Sequence, residues 1–205
     1  MEAARARCRI CDHPVATRGE TDRVCGRCLL APPAFERARA CVLFRASDDD
    51  DPLRAALHRY KYGRETALAN GLGSLFATRG REAVRPHDVV VPVPLHLERL
   101  RWRGFNQALL LAGRLCRTTG VRLDSFSLVR RRATVPQVEL DEGARRRNVA
   151  GAFCVARPER VAGRRVLLVD DVLTTGSTVN ECSRALQRAG AAAVDVLVLA
   201  RALRD

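Results

Sequence analysis

The segment Val166–Thr178, VLLVDDVLTTGST, constrains the fold of this chain of 205 residues more than any other. Arg165–Val169 is a continuous apolar run. That pattern belongs to a strand buried on both faces of a parallel sheet, because a half-exposed strand would alternate. The Thr/Gly/Ser turn that follows opens a predicted helix over Thr175–Ala189, with Val179, Cys182, Leu186 and Ala189 on one face. Val194–Ala200 supplies the next apolar strand. Strand, helix and strand in this succession predict βαβ units, and hence an α/β chain with a mostly parallel sheet flanked by helices.

The same segment carries chemistry. Ligands of open α/β sheets sit at the carboxyl ends of the strands, where Asp170 and Asp171 fall. The N–H groups and hydroxyls of Thr174, Thr175, Gly176, Ser177 and Thr178 at a helix start make an anion cradle, and Gly176 lets the backbone come close. Two carboxylates beside that cradle would repel a bare phosphate, so they face something else. A ligand with an anionic group at one end and vicinal hydroxyls at the other satisfies both, since carboxylates accept strong hydrogen bonds from hydroxyls. A ribose 5-phosphate unit has that layout. An apolar strand ending in Asp-Asp also fits a Walker B strand, but the chain has no G-x-x-x-x-G-K-[ST] to hold a nucleotide.

A second pattern stands at the start of the chain: Cys8-x2-Cys11, thirteen residues, then Cys25-x2-Cys28. Each pair supplies two thiolates from a tight turn, and four thiolates close a tetrahedral shell around Zn²⁺ with no open position for catalysis. Residues 1–30 hold few large apolar groups and need such a staple. The predicted division is a zinc-binding module over 1–38 and a catalytic-type domain over 39–205. Cys41, Cys116, Cys154 and Cys182 are scattered in apolar surroundings and read as small buried hydrophobes.

Between these landmarks the periodicity is mixed. Ala40–Ala46 reads as a buried strand. Asp51-Pro52 reads as a helix start, with Leu53, Ala56, Leu57 and Tyr60 on the covered face, and the acidic run Asp48–Asp51 as its capping turn. A second stripe runs through Leu68, Leu72, Leu75 and Phe76. His87–His96 contains a β-branched strand ending in Pro-Val-Pro. The helix after Gly104-Phe105-Asn106-Gln107 is predicted to bury Phe105, Leu109, Ala112 and Leu115. Val121–Val129 reads as one strand, and Arg130–Asn148 as an exposed basic loop of functional length.

Charge adds less than it promises. The net charge of +13 attracts phosphates of any kind, and all but one of the 36 basic side chains are arginine, Lys61 being the exception. No apolar run approaches the roughly 20 residues of a spanning helix, so no membrane insertion is expected. The start lacks the apolar stretch of a secretory signal, which predicts a cytoplasmic protein.

VLLVDDVLTTGST resembles the phosphoribosyl pyrophosphate (PRPP) signature of type I phosphoribosyltransferases. Together with YKYGRE, VVVPVPLH, RGFNQA, TVPQVEL and RRRNVAGAF behind a four-cysteine head, it resembles the ComF family of bacterial phosphoribosyltransferase-like proteins essentially end to end. The resemblance implies a type I phosphoribosyltransferase-like parallel sheet with a small N-terminal zinc knuckle. It implies that Asp170 and Asp171 hold the ribose hydroxyls, and that Leu173 to Thr178 surround the 5-phosphate. Pro92-Val93-Pro94 is similar to the approach to a pyrophosphate loop, which adds Leu95, His96, Arg99 and Arg103; Leu95-His96 stands where amidophosphoribosyltransferases carry Asp-Ser. Arg130–Asn148 corresponds to the loop that closes over the reacting centre, with Gln137 and Arg145–Arg147 as contacts; Gln137 and Arg147 are the expected catalytic residues.

The implied reaction is Mg²⁺-dependent transfer at ribose C1 with pyrophosphate leaving. The length leaves no room for a glutaminase domain, so glutamine is not the expected nitrogen source. The same resemblance implies a rival role: a single-stranded DNA-binding accessory in DNA uptake, working with a helicase-type partner. Against that role, aromatic residues are only 4% of the chain, and single-strand platforms stack bases on aromatic rings.

Overall fold

The computed structural model of the protein describes residues 6–15, 23–48, 50–62, 68–133 and 142–203. Five parallel strands form the central sheet in the order β1 (Ala38–Arg45), β7 (Ala193–Leu203), β6 (Arg165–Leu173), β2 (Val89–Pro92), β3 (Arg122–Leu123). Alternation along the strands divides the core in two. Val166, Leu168, Val194 and Val196 pack on one face with α7 (Ser177–Arg188). Leu167, Val169, Leu197 and Leu199 pack on the other with α2 (Pro52–Tyr62), α3 (Leu68–Val84) and α5 (Gln107–Thr119). The remaining elements are α1 (Gly26–Leu30), α4 (Leu97–Arg103), α6 (Glu142–Val149) and an antiparallel pair, β4 (Leu128–Arg130) with β5 (Phe153–Val155).

Local chemistry accounts for several boundaries. Asp51 Oδ1 accepts the backbone N–H groups of Leu53 (2.8 Å) and Arg54 (3.2 Å), so the acidic turn caps α2 as its sequence predicts. Gly80 lies where α3 meets β7 most closely: a Cβ there would stand 2.6 Å from Leu197 Cδ2.

Four expectations are corrected. Val121–Val129 is not one strand. Asp124 Oδ1 accepts N–H from Phe126 and Ser127, both at 3.0 Å, and this turn separates β3 from β4, which lie in different sheets. Within 130–148, Arg130 belongs to β4 and Glu142–Val149 is helical, because β5 and α7 provide packing partners that a periodicity reading does not see. In α5 the buried stripe is Ala108, Leu111, Ala112 and Leu115, with Leu109 only half-buried. Strand β6 runs past Asp170-Asp171 to Leu173, since Val172 and Leu173 still pair with Ala200 and Arg201 of β7, and α7 begins at Ser177.

Among the described residues no helix is long and apolar enough to cross a membrane.

Candidate functional site

The carboxyl ends of β2 and β6 are neighbours because the two strands pair from Val89↔Val166 to Pro92↔Val169. That pairing sets the turn Val93–His96 beside the segment Asp170–Thr178. Successive side chains of a strand point to opposite faces. Asp170 therefore acts electrostatically on Arg130 and Cys182 on the α7 side, while buried Asp171 acts on Tyr60 on the α2 side. Asp170 Oδ1 also accepts the N–H of Asp171 at 2.9 Å.

The loop after β6 is shaped for an anion. Gly176 holds φ +81°, a left-handed conformation that costs an L-residue roughly 1–2 kcal/mol, and it forms the N-cap of α7. Gly176 has no side chain to cap that helix; Thr175 Oγ1 accepts the Ser177 N–H at 3.4 Å, and the N–H groups that follow in the first turn are those a helix start offers to an anion. Thr175 Oγ1 and Ser177 Oγ lie 2.9 Å apart and fix one another's rotamers. Leu173 is buried beneath them, and Thr174 and Thr178 are half-buried.

On the β2 side, Asn106 organises the approach. Its Nδ2 donates to Val93 O (3.0 Å), and its Oδ1 accepts Leu109 N–H (3.3 Å), so one side chain ties the Pro-Val-Pro turn to the start of α5. Pro94, Leu95 and His96 are half-buried there. His96 precedes α4 and lies 3.6 Å from Glu98. Arg99 is half-buried, close enough to Arg130 that burial and its charge together depress the Arg130 guanidinium pKa. Arg103 is buried, and its Nη1 donates to Gln107 Oε1 at 2.8 Å. Arg130 stands over the Phe153 ring, 5.3 Å from its centroid. Nothing local in the sequence separates Arg130 from its neighbours; its partners come from β5, β6 and α7.

Next to the loop lies a cleft of about 360 Å³. Thr175, Gly176 and Ser177 line one side, Asn180, Glu181 and Arg184 of α7 a second, and Arg147 of α6 a third. The Cys11–Cys28 region closes the fourth. Glu181 is buried and accepts Gly151 N–H at 3.1 Å, which holds the end of α6 against α7. Arg201, on β7 opposite Leu173, is buried and donates from Nη1 to Cys11 O at 2.6 Å. Arg201, Glu181 and Arg184 escape a sequence reading because no motif surrounds them. Gln137 lies outside the described residues, as do the side chains of Arg145 and Arg146.

Sγ atoms of Cys8, Cys11, Cys25 and Cys28 all lie within 4.8 Å of one another, Cys11 and Cys25 at 3.7 Å. A tetrahedral site with Zn–S bonds of about 2.3 Å has S–S edges of about 3.8 Å, so the four thiols fit a structural zinc ion. Burial pushes the Cys8 thiol up, but N–H groups of Cys11, Cys25 and Ile10 outweigh it and bring it down to about 7. Three further bonds fasten the knuckle to β1: Ala38 N–H donates to Ile10 O (2.6 Å), Ala40 N–H to Asp12 Oδ2 (2.9 Å) and Arg39 Nη1 to Arg9 O (3.0 Å).

Comparison with known proteins agrees with this layout. The phosphoribosyl transferase domain family matches residues 106–205. The DNA utilization protein YhgH of Escherichia coli K12 is 40% identical over 184 residues, covering 87% of this chain and 78% of that protein. Competence protein F of Haemophilus influenzae is 34% identical over the same length, with the same shares of the two chains. Among solved structures, the allosteric regulatory enzyme of purine biosynthesis overlays with a TM-score of 0.46 at 22% identity, over 64% of this chain and 26% of that one.

Proposed function

The chain belongs to the ComF family of phosphoribosyltransferase-like competence proteins, and on that premise we propose that its carboxyl-end site binds PRPP with Mg²⁺ and transfers the phosphoribosyl group to an acceptor, releasing pyrophosphate. The observation that supports this reading is that the Asp170-Asp171 pair and the helix start at the left-handed Gly176 follow one another at the carboxyl end of β6, beside the end of β2. Hydroxyl recognition and phosphate recognition would then be supplied by one strand–loop–helix segment. Residues 1–38 then serve as a zinc-stapled wall of the cleft, and 39–205 as the domain that holds the substrate.

In the transfer, the C1–O bond breaks with its electron pair leaving on pyrophosphate. A lone pair of the acceptor closes on C1, and the acceptor's proton passes to water. Mg²⁺, when bound, offsets charge on the pyrophosphate. The carboxylates of Asp170 and Asp171 position the ribose, Thr174 to Thr178 hold the 5-phosphate, and the Pro94–His96 turn with Arg99 borders the leaving group. Arg103 ties the end of α4 to the start of α5 through Gln107. Arg147, and Gln137 with it, would help exclude water from the reacting carbon. Such catalysis is positioning and electrostatics. The cleft of about 360 Å³ falls within the usual size range of small-molecule sites, and its knuckle wall is where the acceptor would lie.

Titration calorimetry with PRPP and Mg²⁺ tests the reading. The wild type should bind, and Asp170→Asn/Asp171→Asn should lose at least about 100-fold in affinity, because each lost charge-assisted hydrogen bond is worth about 1.5–3 kcal/mol. Unchanged affinity in that variant rejects the site. Release of pyrophosphate in the presence of candidate bases and amines then separates turnover from binding alone.

A second reading is favoured by the names of the relatives, which concern competence and DNA utilization. In it the protein handles single-stranded DNA alongside a helicase-type partner, with the arginine surface holding the backbone. DNA affinity would then fall steeply with salt and would not depend on Asp170 or Asp171.

A further inference from the structure

A second cavity, of about 420 Å³, lies at the other end of the sheet, where the first residues of β1, β6 and β7 meet the last turns of α3. It includes none of residues 170–178. His87, just before β2, lines it, with a side chain only 2% exposed. Nε2 of His87 lies 3.2 Å from Asp195 Oδ2, while Nδ1 is buried and has no hydrogen-bond partner among the described residues. Asp195 is itself held by Arg37, whose backbone N–H donates to Oδ1 (3.0 Å) and whose Nη2 donates to Oδ2 (3.4 Å). The ring is thus locked in orientation with its second nitrogen unsatisfied. Leaving a buried polar atom unpaired costs stability, which an occupant of the cavity would recover.

The charges on the wall say what that occupant is. Arg7 pairs with Asp12 (3.2 Å), Arg37 with Asp195 (3.4 Å), and Glu82 with Arg85 (3.6 Å). Arg39 and Arg79 are in no ion pair among the described residues. Arg39 Nη1 donates to Arg9 O and Ala38 O, which fixes the guanidinium on the wall. Burial pushes the Cys41 thiol, also on the wall, up to about 12, so it adds no negative charge at neutral pH. Two uncompensated guanidinium groups beside a buried ring nitrogen call for a dianion with several acceptor oxygens.

We propose that this cavity is a second ligand site, which takes a small dianionic phosphate, free or as a phosphomonoester, between Arg39, Arg79 and Nδ1 of His87. Phosphate suits the pair of demands: its oxyanion edges accept from the arginines, and its P–OH or P–O⁻ matches Nδ1 whichever way that hydrogen bond runs. The site stands apart from the carboxyl-end cleft, so PRPP binding there can succeed or fail without bearing on it.

The test is a titration of the zinc-loaded, ¹⁵N-labelled full chain with inorganic phosphate, and separately with ribose 5-phosphate, read at the His87 ring nitrogens. There are four histidines, and His87→Gln assigns the signal. The His87 shift should saturate, and Arg79→Ala and Arg39→Ala should each move the midpoint up about tenfold, the equivalent of roughly 1.4 kcal/mol. Thr175→Ala/Ser177→Ala, at the other end of the sheet, should leave it in place. A lower midpoint for ribose 5-phosphate assigns a phosphomonoester; a lower one for phosphate assigns the free ion. The proposal is overturned if His87 gives no saturable response, or if Arg79→Ala, an exposed position whose loss leaves the core intact, does not change the midpoint.

Discussion

The two ends of the parallel sheet are built from the same strands and differ in how their residues are drawn from the chain. At the carboxyl end, the groups proposed to face a ligand come from one stretch, Asp170–Thr178, with Asn106 and the Pro94–His96 turn brought alongside by β2–β6 pairing. At the amino end, Arg39, Arg79, His87 and Asp195 come from four separate segments that converge only when β1 and α3 fold over β7. The first end is shaped by backbone geometry, a left-handed glycine at a helix start. The second works through side chains, a locked imidazole among guanidinium groups. A local signature exists where backbone conformation makes the site, because conformation is set by neighbouring residues. It is missing where long side chains make the site.

The knuckle touches both ends, through Cys11 at the cleft and Asp12 at the far cavity, so removing its metal should have the largest effect. Metal analysis is expected to give one zinc per chain. Cys8→Ser/Cys11→Ser should abolish it and unfold the described stretches 6–15 and 23–28, since structural zinc supplies about 10–16 kcal/mol of folding free energy in small modules. Protection of the Ala38 and Ala40 amides from hydrogen exchange would fall with it. A metal-free chain with those amides still protected would separate the knuckle from both sites.

Smaller and more local effects sharpen the contrast. Gly80→Ala drives a Cβ to 2.6 Å from Leu197 Cδ2 and should cost about 1–3 kcal/mol in a denaturant midpoint, with both ends loosened because β7 serves both. Gly176→Ala meets only Leu173 Cδ1 at 3.6 Å, so its cost is backbone strain of about 1–2 kcal/mol. It should weaken PRPP binding and leave phosphate binding at His87 unchanged. Asn106→Ala removes a helix cap and leaves Val93 O without its donor; about 1 kcal/mol of stability should be lost.

Asp195 supplies a pH test of the amino end. Burial raises its pKa, but the hydrogen bond from His87 and the charge and N–H of Arg37 outweigh it and hold the carboxyl below its ordinary value. A depressed carboxyl contributes stability that is present above the unfolded value of about 3.9 and is lost as pH falls through the folded one. Denaturant midpoints measured downward from about pH 5 should therefore fall less steeply in Asp195→Asn than in the wild type. Equal slopes would mean that the carboxylate is not held by its partners. Asp124 is lowered as well: burial opposes the change, and Ser127 and the N–H groups of Phe126 and Ser127 outweigh it. It therefore serves as the internal comparison, since its bonds lie within one turn.

Much of the molecule could be read before folding. The largely apolar stretches Arg165–Val169 and Val194–Ala200 announced parallel strands, Arg165 and Asp195 being their polar members, and the spacing of Cys8, Cys11, Cys25 and Cys28 announced a metal site whose Sγ atoms do converge. Asp51-Pro52 announced a capped helix. Arg130–Asn148 was harder. Its polar residues carry no period, and helix α6 exists there because Glu181 and the α7 surface hold its end in place. Arg130 looked like one cation in a run of three, and only β-pairing with Phe153 set it near Asp170.

By itself the sequence determined the α/β class, the thiolate set, and the segment Asp170–Thr178 that places two carboxylates and a Thr/Gly/Ser turn at a strand end. Each of these follows from interactions within a few residues, or from the apolar pattern of one element. Tertiary structure alone decided which arginines face which end, which carboxylates neutralise them, and that His87 keeps a buried nitrogen without a partner. Those outcomes depend on which strands lie side by side, and parallel neighbours can be a hundred residues apart along the chain.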